Sequence, residues 1–214
     1  MKDFILTQNQ KSILKKIEFL GKYGFYLAGG TALALQFGHR TSKDFDFYTL
    51  KKFDSLILIR EFRKIFGKEM KNPRRDEDSL WLNIKNTDMS FFKYSYKLIR
   101  PTISYLTINL AQPEDIAAMK LEAIVGRGVK RDFIDIYYLM KKYNLKQILE
   151  FTRQKYSSAF NEINYLYALT YFNDAETTQK DRKRIYLYKE VQWKDVKKYI
   201  EIEVKKYQKL ILKK

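Results

Sequence analysis

The segment 24-GFYLAGGTALALQFGHRTSKDFDFYTL-50 decides how the first half of this chain folds. Phe25 to Ala28 reads as a short buried strand, because it is an apolar run bounded by glycine on both sides. Gly29-Gly30 then turns the chain, Thr31 offers a cap, and Ala32 to Phe37 makes a short helix. After a basic turn, Asp44 to Tyr48 predicts a second strand. Side chains alternate along a strand, so Asp44 and Asp46 project to one face while Phe45 and Phe47 anchor the other.

Two carboxylates on one face repel each other in a dry site, and a divalent cation relieves that repulsion. Hard oxygen ligands suit Mg²⁺ or Mn²⁺. Gly29-Gly30 lets the backbone approach a phosphate closely, Thr31 is expected to cradle the triphosphate with them, and the following helix presents its first N–H groups to such an anion. Arg40 and Lys43 are placed to neutralise the outer phosphates of an NTP. A Gly-Gly before a helix is commonly only a turn, and an Asp-x-Asp is often an exposed edge. The order of strand, glycine turn, helix, basic turn and carboxylate strand points instead to phosphoryl or nucleotidyl transfer. His39, the single histidine, is expected in solvent within this basic turn.

Outward from this segment, Ile13, Leu14, Ile17 and Leu20 recur at helical spacing, with Gly21 or Gly24 as the stop. A second long helix covers 55 to 66 behind an Asp54 or Ser55 cap. The runs 80-LWLNI-84 and 89-MSFFKY-94 flank 85-KNTD-88 as a hairpin, and Thr102 to Leu110 reads as a final strand. The character changes near Gln112-Pro113. Pro113 suits a helix start with Glu114 and Asp115 in its first turn, and helices are expected over 114–125, 130–142, 145–155, 158–171 and 193–210. The fold class is therefore α/β (α+β), with a mixed sheet flanked by helices over 1–111 and an all-helical domain over 112–214. Most of the seventeen tyrosines, and Trp193, are expected to pack between helices.

The composition excludes several chemistries. With no cysteine there are no disulfides, thiolate metal sites or cysteine nucleophiles, and one histidine rules out a multi-histidine metal site. No apolar run is long enough to cross a bilayer and the N-terminus lacks a secretory signal, which implies a cytoplasmic protein without a membrane partner. A formal charge of +17 favours a polyanionic partner such as RNA, although the excess is spread over both halves as on any lysine-rich surface.

Gly30-Thr31 followed by Asp44-Phe45-Asp46-Phe47 resembles the signature of DNA polymerase beta-like nucleotidyltransferases. The longer strings GGTALALQFGHRTSKDFDF, FFKYSYKLI, PEDIAAMKLEAIVGRGVKRDFIDIYYLM, LTYFNDAE and WKDVKKYI resemble the AbiEii/AbiGii toxin family, from about residue 24 to 205. That resemblance implies an NTP-using, Mg²⁺-dependent toxin of an abortive-infection or toxin–antitoxin system, with a cognate antitoxin. It implies transfer of a nucleotide to a hydroxyl, with the 3′ end of tRNA as the leading acceptor and a protein or small-molecule hydroxyl as alternatives. It also assigns the metals to Asp44 and Asp46, phosphate contact to Lys120, and the next acid to Asp132 or Asp135, with Asp132 preferred. From the residues alone, Lys120 either snorkels to water or meets an anion, and Asp132 and Asp135 equally suit helix-surface ion pairs. Related enzymes carry a third acid where this chain has Ser90. Asp88 shares a face with Ser90 on an uninterrupted strand, but a turn at that point would aim it elsewhere. A nucleotide-binding module without transfer activity is thus the alternative reading.

Overall fold

The computed structural model describes residues 1–177 and 186–212. The chain forms two compact units, Met1–Gln112 and Pro113–Lys214.

In the first unit, Thr7 caps α1 (Gln8–Leu14) through a reciprocal bond with Gln10. The helix stops at Lys15, sooner than the spacing of Ile17 and Leu20 suggests. A 3-10 turn over Glu18–Tyr23 carries Leu20 inward instead, and Gly24 closes it at φ 70°. β1 (Tyr26–Ala28) leads directly into α2 (Gly29–Phe37), and β2 (Asp44–Thr49) follows the basic turn. α3 (Ser55–Phe66) starts behind Asp54, whose carboxylate accepts from the Leu56 and Ile57 N–H groups.

Four further strands flank these. β3 (Met70–Asp76), β4 (Ser79–Ile84) and β5 (Thr87–Lys93) form a meander, while β6 (Ile103–Tyr105) and β7 (Ile108–Leu110) form a hairpin turning at Leu106 with φ 51°. The single strand expected over 102–110 is therefore two. The sheet order is β3-β4-β5-β2-β1-β7-β6. It is mixed, because β1 runs parallel to β7 and β2 parallel to β5, while the other pairs are antiparallel.

One face of the sheet is a phenylalanine core. Phe91 stacks on Phe47 at 5.3 Å and meets Phe25 at 5.4 Å and Phe62 of α3 at 5.3 Å. Leu80, Leu82, Ile84, Met89 and Phe45 are buried on the same side. The alternation of β2 survives intact, with Phe45 and Phe47 sealed and Asp44 and Asp46 half-buried on the other face.

The second unit consists of α4 (Pro113–Arg127), α5 (Lys130–Met140), α6 (Leu145–Tyr156), α7 (Glu162–Thr170), the short α8 (Asn173–Thr177) and α9 (Trp193–Ile211). α4 packs on α5, α6 and α7, and α9 closes over α5, α6 and α7. Its Val196, Ile200 and Val204 recur every fourth residue and are buried. The helix expected from 158 begins only at 162, because Ser157–Ala159 form a 3-10 turn and Asn161 is the residue whose side chain caps. Trp193 packs with Phe133 and Phe172 at 5.9 and 5.8 Å.

Since Phe91 joins both strands of the central pair to α3, Phe91→Ala is expected to cost about 3 to 5 kcal/mol. Urea unfolding followed by circular dichroism measures it, with Phe92→Ala on the opposite face costing less.

Candidate nucleotidyltransferase site

The site grows from the junction of β1 and α2. Gly29 is the first residue of α2 yet has φ 64°, a conformation other residues adopt only at a cost. A Cβ there would also lie 3.0 Å from Asp46 Oδ2. The Asp46 carboxylate therefore rests against the glycine turn, as the pairing of Ala28 with Asp46 requires. A Cβ on Gly30 would collide with the Arg40 guanidinium. Both glycines are half-exposed, and the first N–H groups of α2 have no acceptor within the helix, so an anion can approach them.

The basic turn is held from within. Thr31 is buried and does not cap; its hydroxyl donates to the Asp44 carbonyl and lies 2.7 Å from Ser42 Oγ, tying α2 to β2. Gln10 donates to the Ser42 carbonyl at 2.9 Å. Arg40, expected from the sequence to neutralise outer phosphates, is held inside the turn. It is only 2% exposed, and its Nη1 donates to the Thr41 carbonyl at 2.9 Å. His39 is likewise buried rather than solvated, edge-on to Phe37 at 6.2 Å. Lys43 alone of this basic group is exposed.

The β4–β5 turn settles where Asp88 lies. Lys85 and Asn86 both have positive φ, giving a two-residue hairpin turn, so Thr87 and Asp88 belong to β5. In the parallel pairing, Asp88 stands beside Asp44 and Ser90 beside Asp46. Asp44, Asp46, Asp88 and Ser90 thus share one sheet face. Asp88 Oδ1 accepts from Asn83 Nδ2 at 2.8 Å.

The described residues contain no cluster of three or more metal-binding side chains. The donor set at Asp44 and Asp46 nevertheless suits Mg²⁺, which characteristically takes one or two carboxylates and completes its shell with substrate phosphates and water.

The helical unit holds a buried cluster of charges. Lys120 Nζ lies 2.7 Å from Asp132 Oδ1 and 2.6 Å from Asp135 Oδ2, and both aspartates are fully buried. Lys120 neither snorkels nor chooses between the two acids, and neither acid forms a helix-surface pair. Arg127 adds bonds to Asp132 at 2.9 and 3.1 Å. Burial alone would raise the Asp132 pKa; the Lys120 charge and the Arg127 hydrogen bond and charge outweigh it and hold the carboxyl below its ordinary value. Asp115 and Lys155 form a second pair at 2.8 Å with both side chains buried, which the first-turn placement of Asp115 does not suggest.

The sheet order and the helix that opens at the glycine turn define a nucleotidyltransferase fold. Solved structures with that fold include JHP933 of Helicobacter pylori, at 15% identity and TM-score 0.55 over 97% of this chain and 95% of that one. Another is the nucleotidyltransferase toxin MenT4 of Mycobacterium tuberculosis, at 13% identity and TM-score 0.55 over 91% of this chain and 82% of that one. An uncharacterized protein of Aquifex aeolicus is 36% identical over 209 residues, covering 94% of this chain and 97% of its own length. Residues 13–103 and 97–206 match the family described as "Nucleotidyl transferase AbiEii toxin, Type IV TA system". The chain belongs to that family of nucleotidyltransferase toxins.

Two outcomes follow from this geometry. Gly29→Ala is expected to lose about 1 to 2 kcal/mol from the left-handed backbone. Because it also displaces Asp46, transferase activity should fall further than the loss of folded protein explains. For Asp132 the folded-state pKa is depressed, so its contribution is full above the unfolded value of about 3.9 and is lost as pH falls through the folded value. Asp132→Asn should destabilise the protein at pH 7 by about 3 kcal/mol, the scale of a broken buried pair, and less at pH 3. Urea midpoints across that range measure the difference.

Proposed function

We propose that this enzyme transfers a nucleoside monophosphate from an NTP to a hydroxyl at an RNA 3′ end, tRNA being the leading acceptor, with Mg²⁺ or Mn²⁺ held by Asp44 and Asp46. The observation that carries the reading is the contact between the Asp46 carboxylate and Gly29, which sets a phosphate-binding turn directly against a carboxylate face. In this reading the first N–H groups of α2 take the triphosphate over Gly29 and Gly30. Arg40, stowed against Gly30, adds fixed positive charge to the turn, and Lys43 meets the outer phosphates. Thr31 acts through its bond to β2, keeping turn and carboxylates in register. A divalent cation bound there stabilises negative charge on the phosphoryl oxygens.

The acceptor oxygen attacks the α-phosphorus, the new O–P bond forms, the bond to the β-phosphate oxygen breaks, and pyrophosphate leaves. Asp88, beside Asp44 on the open face, supplies the third carboxylate and takes the hydroxyl proton, a role that Ser90 lacks the basicity to fill. Lys120, with Asp132 and Asp135 balancing its charge, is the cation that the family resemblance assigns to phosphate. A cognate antitoxin is the expected protein partner by family.

The test is label transfer and pyrophosphate release with each of four α-labelled NTPs, Mg²⁺ and total RNA. Wild type should label RNA, and Asp46→Asn should lose on the order of 1000-fold in rate, as expected when several kcal/mol of transition-state stabilisation go. NTP binding without pyrophosphate release from any NTP or acceptor would sink the transfer reading and leave a nucleotide-binding module. Label on a protein or small molecule instead would redirect the acceptor alone.

A further inference from the structure

We propose that the part of the sheet face beyond the carboxylates, centred on Trp81, seats the acceptor as a single-stranded polynucleotide. Its end base stacks on Trp81 and its phosphates meet Lys71 and Arg74. The inference rests on the transfer reading for its direction, but its residues stand on their own geometry.

Cross-strand partners align in rows across this face. One row runs Ala28, Asp46, Ser90, Trp81 and Arg74, and the next runs Asp44, Asp88, Asn83 and Lys71. Neighbouring strands lie roughly 4.8 Å apart, so Trp81 stands about 10 Å from Asp46, Arg74 and Lys71 about 14 Å from Asp46 and Asp44 respectively, and Lys71 about 10 Å from Asp88. The glycine turn occupies the β1 side of β2. A triphosphate held there leaves the β5-β4-β3 side for the attacking group.

That side has the chemistry of a strand-binding surface. Trp81 is half-exposed, its ring propped edge-on by Phe92 at 5.9 Å and 78°. Phe92 in turn meets Tyr48 at 5.4 Å, so an aromatic band runs beside the carboxylates. Lys71 and Arg74 are exposed and make no salt bridge among the described residues. Asp76, paired with Ser79, lies one row beyond Arg74 on the same face, but its carboxylate accepts from the Glu77 N–H and makes no salt bridge with Arg74 among the described residues. An aromatic ring followed outward by unneutralised cations fits a base followed by phosphates. It favours a single strand, because a ring takes up a base only when that base is free of its own stack.

The test measures fluorescence anisotropy of a labelled 12-nucleotide single-stranded RNA, and of a blunt RNA duplex, with the whole chain at several salt concentrations. Circular dichroism melts confirm that each variant is folded. Trp81→Ala should weaken single-strand binding about 10- to 100-fold, and Trp81→Phe, which keeps a ring, should restore most of it. The double change Lys71→Ala with Arg74→Ala should lower the slope of log affinity against log salt by about 1.4. Arg75→Ala, paired with the buried-face Leu80, should weaken binding much less. Asp46→Asn should bind RNA like wild type while losing transfer. If that mutant binds normally but wild type shows no transfer, the single-strand seat at Trp81 stands as a binding surface and the transfer reading falls. If Trp81→Ala and the double variant bind the single strand like wild type, or transfer label with unchanged KM, the seat is overturned and transfer stands. Preference for the duplex, or equal displacement by polyglutamate of matched charge, would also overturn it.

Discussion

The first unit depends on the register of β2 between its neighbours. Six residues must present two carboxylates to one side and two phenylalanines to the other, and the Phe47–Phe91 stack fixes that choice. A slip of one residue would drive Asp44 and Asp46 into the phenylalanine core and turn Phe45 and Phe47 outward. The burial of several aromatic rings thus holds a pair of acids on the opposite, partly exposed face. The same register places Ala28 across from Asp46, which brings Gly29 against the carboxylate. Binding turn and acid face are consequently one mechanical object, with Thr31 as the cross-tie.

How much of this could be read from residues alone varies with how local the cause is. The β2 alternation and the Asp54-capped helix were legible because period and cap lie within a few residues of each other. Asp88 was ambiguous because its direction depends on whether the turn spends two residues or four. Positive φ at Lys85 and Asn86 decides for two, which only the asparagine hints at. β3 left no trace: only Met70 of its seven residues is buried, so there is no alternation to detect, and Asn72 and Pro73 interrupt it. Arg40 and His39 look like surface residues by type. Their burial is set by Gly30 and Phe37, partners that composition does not reveal.

The helical unit teaches a related lesson about charge. Lys120 and Lys155 are withdrawn from solvent, Lys120 between two aspartates and Lys155 beside one, all on neighbouring helices. Spacing within a helix shows that Asp132 and Asp135 share a face, but not that Lys120 sits between them. Buried pairs of this kind contribute little net stability, since desolvation offsets attraction, yet they strongly penalise any packing that separates the partners. They fix which helix faces which.

The outermost strand carries a different consequence. An open sheet invites another chain to add a strand along its free edge, and β3 is such an edge. Its irregular pairing between Lys71 and Arg74, its proline and its cations make it a poor template for that addition. Proline removes one donor, the irregularity spoils the spacing of the rest, and like charges on two approaching copies repel. The same residues thereby guard a concentrated solution of this protein against edge-to-edge aggregation, a protection independent of any ligand.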